Sequence, residues 1–194
     1  ILIEGNEDKI NYEITNKNRN EDLKLSNLNI NSEISLSKLT YKNNFSSIQK
    51  YFPEIKELID LKDHNIKLNY NKDRIKITGE GRILIEGNED KINYEITNKN
   101  NQYYFKKLLE IKKNIIFIDE LQYKKEKNKK ALIKIDGILS DNKNFFFNQI
   151  SLIENDNKIL IKDLNLNNKF KISDISLLEL NYKKISQMCR SLDE

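Results

Sequence analysis

The sequence predicts a mainly β protein: a long antiparallel meander curling into a groove, with one short α-helical insertion near residues 47–61. Three observations lead there. Apolar and polar residues alternate over most of the chain, which is the period of a strand with one dry face and one wet face. Short polar clusters separate the apolar runs, and links that short join antiparallel neighbours, because a parallel pair needs a long crossover. Residues 1–18, ILIEGNEDKINYEITNKN, recur letter for letter at residues 83–100. Repetition at this scale indicates an architecture of stacked equivalent units.

Taken in order, the alternation begins with Ile10, Tyr12 and Ile14 and returns in Ile34 and Leu36. The stretch from Ser47 to Leu61 breaks it. Its apolar residues fall at helical spacing (Ile48, Tyr51, Phe52, Ile55, Leu58, Ile59), Ser46 and Gln49 have capping-box spacing, and Pro53 suits a first helical turn. Alternation resumes at Ile66, Leu68 and Tyr70, then Ile75 and Ile77, then Ile92, Tyr94 and Ile96 in the second copy of the repeat. It continues through Ile133 and Ile135, Ile159 and Ile161, and Phe170 and Ile172. Turn clusters fit between these runs at residues 70–73, 87–90, 140–143 and 154–157. Gly79 and Gly81 mark a bulge or a sharp strand bend.

A second motif, I-x-(L/I)-x-x-L-x-Y-K, occurs at residues 34–42, 116–124 and 175–183. The expectation is that Ile34, Leu36, Ile116, Ile118, Ile175 and Leu177 occupy equivalent places on one sheet face. The chain then divides into repeat units of about 1–82 and 83–183. A tail, 184–194, differs in composition and is expected to be poorly ordered.

Composition narrows the function. There is no Val or Trp, one Ala (Ala131) and one Pro (Pro53), while Ile, Asn and Lys are abundant, the bias an AT-rich genome imposes. A net charge of +4 and a pI near 8.9 would ordinarily raise nucleic acid as a partner. Here Lys is interspersed with acid, as in Glu7-Asp8-Lys9 and Lys124-Lys125-Glu126-Lys127, so a solvated face is expected and no nucleic-acid partner. Regularly spaced Ile, Leu, Phe and Tyr argue against disorder. The single cysteine, Cys189, cannot form an intramolecular disulfide. No apolar run of about 18 residues is present, and no charged-then-apolar leader, so any anchor is expected upstream.

Catalytic chemistry is not expected. His64 is the only histidine, which excludes a multi-histidine metal site, and no triad is expected around it. It follows Lys62-Asp63 and reads as an exposed turn residue. The carboxylates occupy water-facing positions of the alternation and form no acid–base pair. Asp136-Gly137 reads as a turn or strand irregularity, and the Asn-rich segments lack the ligand ladder of an EF-hand. Gly79-Glu80-Gly81 is not followed by the helix and Lys-Ser/Thr pair of a phosphate loop. Tyr41, Tyr123 and Tyr182 belong to the repeated motif, where core packing or groove lining is more economical than base stacking. The chain is therefore expected to be no enzyme and to need no cofactor. Its candidate functional residues are the apolar face: Ile10, Tyr12, Ile14, Ile34, Leu36, Ile66, Leu68, Ile75, Ile77, Ile92, Tyr94, Ile96, Ile116, Ile118, Ile133, Ile135, Ile175 and Leu177. Such a face must be covered by a second layer, by curling or by a ligand, because about 25 cal/mol per Å² of apolar area is at stake.

A Gly-punctuated antiparallel meander with degenerate I-x-L-x-x-L repeats resembles the AsmA-like superfamily, the TamB and YhdP type of bridge-like lipid transport proteins. The stretch from Ile66 through Tyr182 carries the resemblance, above all residues 75–81, 147–152 and 164–166. The resemblance implies a cell-envelope protein tethered to the inner membrane by an upstream anchor and extending into the periplasm. It implies phospholipid as the partner, carried by its acyl chains between inner and outer membrane, with further envelope proteins as possible partners. The alternative of a different class is a structural or adhesive repetitive β-protein with a packed core and no lipid cargo.

Overall fold

The computed structural model describes residues 2–3, 9–16, 28–42, 58–72, 74–85, 87–140 and 144–182. The strands are β1 (Leu2–Ile3), β2 (Lys9–Asn16), β3 (Leu28–Lys42), β4 (Leu58–Asn71), β5 (Arg74–Ile85), β6 (Asn88–Lys99) and β7 (Gln102–Ile111). They continue with β8 (Ile116–Ile118), β9 (Tyr123–Lys125), β10 (Ala131–Leu139), β11 (Phe145–Glu154), β12 (Asn157–Leu166), β13 (Ile172–Asp174) and β14 (Leu177–Asn181). Twelve of these form one antiparallel sheet that does not close. From β3 to β12 each strand pairs with its neighbour in the chain, except that β8 and β9 leave the sheet as a hairpin of their own. One outer edge is shared by β1 and β2, both paired with β3, and the other by β13 and β14, both paired with β12.

Tight turns make the meander. Asn71 pairs with Arg74, Ile85 with Asn88, Lys99 with Gln102 and Glu154 with Asn157, so each link has two residues. Asn100 and Asn101 both have positive φ, 51° and 58°, as does Asn155 at 49°. Asn tolerates that region, and the primed turns it builds match the twist of the strands.

Of the expected helix, residues 47–57 lie outside the described residues. Leu58, Ile59 and Leu61 belong to β4, so the helix does not extend to residue 61. Their helical spacing is overridden by sheet pairing. Asp60 lies between Thr40 and Leu84, and Ile59 is buried in the core.

The repeats also part company. Ile34 and Leu36 lie on β3 of the main sheet, Ile116 and Ile118 on β8 of the separate hairpin, while Ile175 precedes β14 and Leu177 begins it opposite Lys162. The three copies do not occupy equivalent places. The identical 18-residue runs diverge too: in the second copy Leu84 and Ile85 pair with Glu89 and Asn88 across a turn. In the first, Leu2–Ile3 and Lys9–Asn16 both lie along β3. The shared letters specify alternation, and the neighbours decide the partner strand. The tail 184–194 lies outside the described residues.

The register sorts the sheet into two faces. On the inner face, the row Ile66, Gly79, Tyr94, Lys107, Ile135 and Ile150 crosses six strands. On the outer face, Lys67, Thr78, Glu95, Lys106, Asp136 and Gln149 form the adjoining row. Asp136-Gly137 is a strand irregularity, as its sequence suggests, where the pairing with β11 shifts register. The β8–β9 hairpin folds over one end of the inner face. Ile59, Ile83, Ile85, Ile111, Ile116, Tyr123, Ala131, Leu152 and Ile159 pack there into the core.

Candidate functional site: the inner face of the sheet

Register places Ile10, Ile14, Ile34, Leu36, Ile66, Leu68, Ile75, Ile77, Ile92, Tyr94, Ile96, Ile133 and Ile135 on the inner face, with Tyr12 at the matching position of β2. The alternation therefore collects most of the predicted residues on one surface. Ile116 and Ile118 instead belong to the hairpin, and Leu177 faces outward with Lys162.

The inner face has three zones along the strand direction. The first lies under the β8–β9 hairpin and is closed, with Ile111 and Ala131 fully buried. Polar groups fasten it. The Asp90 carboxylate accepts hydrogen bonds from the backbone N–H groups of Lys112 (2.8 Å) and Lys113 (3.0 Å) and from Asn114 Nδ2 (2.6 Å). Tyr123 Oη donates to Glu154 Oε2 at 2.8 Å. Burial, followed by that hydrogen bond and the Glu154 charge, raises the pKa of the Tyr123 phenol. Lys125, with no exposed surface, donates from Nζ to the carbonyls of Lys112 (3.0 Å), Asn114 and Glu126 (3.1 Å). Desolvation lowers its pKa, opposed by the Asp90, Glu154 and Glu126 charges.

The middle zone contains His64, Gly79, Gly81, Tyr94 and Lys107. His64 is buried within β4, not exposed in a turn, and its ring is stacked with Tyr94 at 6.0 Å. Pairing with β6 is continuous through both glycines, and a bulge in the β4–β5 pairing lies opposite Gly81. A Cβ on Gly81 would stand 2.3 Å from the His64 ring, and one on Gly79 would stand 2.2 Å from the Tyr94 ring. The missing side chains make seats for two aromatic rings. The register shift lies opposite, in β4 between Lys62 and Asn65, where Asp63 has a φ of 50°.

The third zone is open and aromatic. Ile96, Tyr103, Phe105, Lys107, Ile135, Leu139, Phe145 and Phe147 line a cavity of about 360 Å3. Phe105 meets Phe147 edge-on at 5.8 Å, and Phe145 stacks on Phe147 at 6.0 Å and on Phe170 at 5.4 Å. Phe105, Leu139, Phe145 and Phe147 were missed by the alternation. Phe105, Phe145 and Phe147 sit in the runs YYFKKLL and FFFNQI, whose apolar residues are consecutive and do not reveal which of them face inward, and Leu139 follows Ile138 directly.

Charge separates the faces. The outer face bears a lattice of ion pairs, including Lys67–Glu33 (3.0 Å), Lys76–Glu95 (3.0 Å), Arg82–Glu89 (2.8 Å) and Lys158–Glu179 (2.9 Å). It also carries a trough of about 690 Å3 over β4–β7, β10 and β11, with Lys67, Glu80, Glu95, Lys106, Leu108, Lys134 and Asp136 in its walls. Exposed pairs of this kind contribute little each, but they keep the surface mixed in sign. Among the described residues, Lys107 is the one Lys or Arg that the register places on the inner face of the main sheet. Desolvation lowers its pKa.

Among the described residues no three His, Cys, Asp or Glu side chains are grouped to hold a metal ion, and no helix is long and apolar enough to cross a membrane. Comparison with family models, with curated proteins and with solved structures gives no match.

Proposed function

We propose that this chain is a non-catalytic segment of a lipid-carrying β-groove of the AsmA-like type, whose inner face holds phospholipid acyl chains. The observation that carries the reading is the aromatic cavity of about 360 Å3 at the open end of the inner face. It lies in the size range of small-ligand sites and is lined almost wholly by hydrocarbon. The sheet does not close, and most of the predicted apolar residues share one surface, so an acyl chain would remove from water what the fold itself leaves uncovered. In this reading the parent protein lies in the periplasm, tethered to the inner membrane, and works with envelope partners to move phospholipid between inner and outer membrane.

The test pairs stability with lipid content. Ile77 is half-buried and outside the hairpin core, whereas Ile85 is buried within it. Ile77→Asp should keep the melting temperature near that of the unmodified protein and abolish recovery of co-purifying phospholipid by mass spectrometry. Ile85→Asp should unfold the chain, because an unpaired charge in a packed core costs several kcal/mol. The closed core beneath the hairpin favours the alternative, a structural or adhesive β-protein. That alternative stands if Ile77→Asp also unfolds and the unmodified protein yields no lipid.

A further inference from the structure

We infer that Lys107 anchors the carboxylate of a single-chain fatty acid whose hydrocarbon tail lies along the aromatic end of the inner face. This rests on the acyl-chain reading of that face and adds to it a head-group site and a ligand class. Lys107 lies in register between Tyr94 and Ile135, with Phe105 and Leu109 two residues away along its own strand. None of these is acidic.

Among the described residues the inner face has two carboxylates, and both are committed to the hairpin. Asp90 accepts from Lys112, Lys113 and Asn114, and Glu154 accepts from Tyr123 and Asn157. Asp90 shares its row with Ile111, four residues from Lys107, about 13 Å along a strand. The adjacent Lys106 points to the opposite face, where Asp136 lies 3.9 Å away. Lys107 thus brings a positive charge onto an apolar surface that, among the described residues, offers it no counter-charge.

Lys107 is exposed on this face, so its ammonium is reachable by a bound anion, which would pair with it directly. The cavity that Lys107 borders extends towards Tyr103, Leu139 and Phe145, away from the hairpin. An acid group at Lys107 therefore has one open direction for its chain. One ammonium matches one carboxylate, and a space of about 360 Å3 suits one chain better than two.

The test measures binding of a fluorescent polyene fatty acid and of the matching polyene alcohol to the unmodified chain, to Lys107→Met and to Lys107→Arg. The expected result is that the acid binds the unmodified chain about tenfold more tightly than the alcohol, the weight of one charge-assisted hydrogen bond. Lys107→Met should remove that preference by weakening the acid alone, and Lys107→Arg should retain it. Equal binding of acid and alcohol to the unmodified chain would overturn the assignment of Lys107 while leaving the acyl-chain reading intact. So would a preference that survives in Lys107→Met. Binding of neither probe would overturn both. The acid-to-alcohol comparison on the unmodified chain decides the matter whatever the variants do to folding.

Discussion

A proton added to His64 would create a donor with no acceptor. Nε2 already lies 3.3 Å from the Arg82 carbonyl, and Nδ1 is buried without a partner. Burial holds the pKa below 6.5, outweighing the Arg82 carbonyl and the Asp63 charge, which both raise it. As pH falls, the unfolded chain takes up the proton first. The stability from neutral His64 is therefore full above 6.5 and is lost as pH drops through the lower folded-state value. We expect the melting temperature of the unmodified chain to fall more steeply with acidification than that of His64→Phe. Gly81 tests the same seat sterically. Gly81→Ala should cost about 1–3 kcal/mol in a denaturant titration, because the buried ring cannot retreat. Combining it with His64→Ala should shrink that cost, the signature of direct contact. Neither role of His64 is legible in its neighbours Lys62, Asp63 and Asn65, which are all polar. The ring turns inward in phase with Ile66 and Leu68, opposite Leu36, and the left-handed Asp63 shifts the phase of the residues that precede it.

At the scale of elements, the β8–β9 hairpin decides which part of the inner face is closed. Lys125→Met should cost about 2–4 kcal/mol in thermal or chemical unfolding, because it leaves buried carbonyls without donors. Ile116→Ala should cost about 2–5 kcal/mol, the range for emptying a packed site. Both should leave the distant aromatic cavity intact, measured as unchanged binding of the polyene probe at a temperature where the variant is folded. The strands of the main sheet were readable because alternation is a local signal. The hairpin was not. Its letters match the repeated motif, and Lys125 stands in a run of charges that reads as solvated, so only the tertiary fold reveals that its ammonium is buried. The candidate face was half legible for the same reason: isolated Ile residues in alternation declare their side, and consecutive Phe residues do not.

At the scale of the molecule, both outer strands present apolar side chains. Ile10 is 65% exposed and Ile14 56% on β2, and at the far edge Ile172 is 66% and Leu178 50% exposed. Exposed strand edges with apolar residues template pairing with further strands. The chain should therefore self-associate as concentration rises, measured by sedimentation velocity. Ile14→Lys combined with Leu178→Lys should restore a monomer without lowering the melting temperature. An unchanged sedimentation profile in the double variant would count against edge pairing.

The meander also fixes how the molecule would respond to tension. Its first and last strands lie at opposite edges, so a force between them would open ladders one hydrogen bond at a time, like a zipper, without shearing whole strands together. The clasp at one end interrupts that path. Tyr182 Oη, just beyond the last strand, donates to the Leu121 carbonyl at 2.6 Å, and Tyr123 within the hairpin is tied to Glu154 on β11. Peeling from the β14 side must break the first of these bonds before the hairpin can lift. The expected force trace is a low plateau broken by one peak, and Tyr182→Phe should diminish that peak while leaving the plateau unchanged.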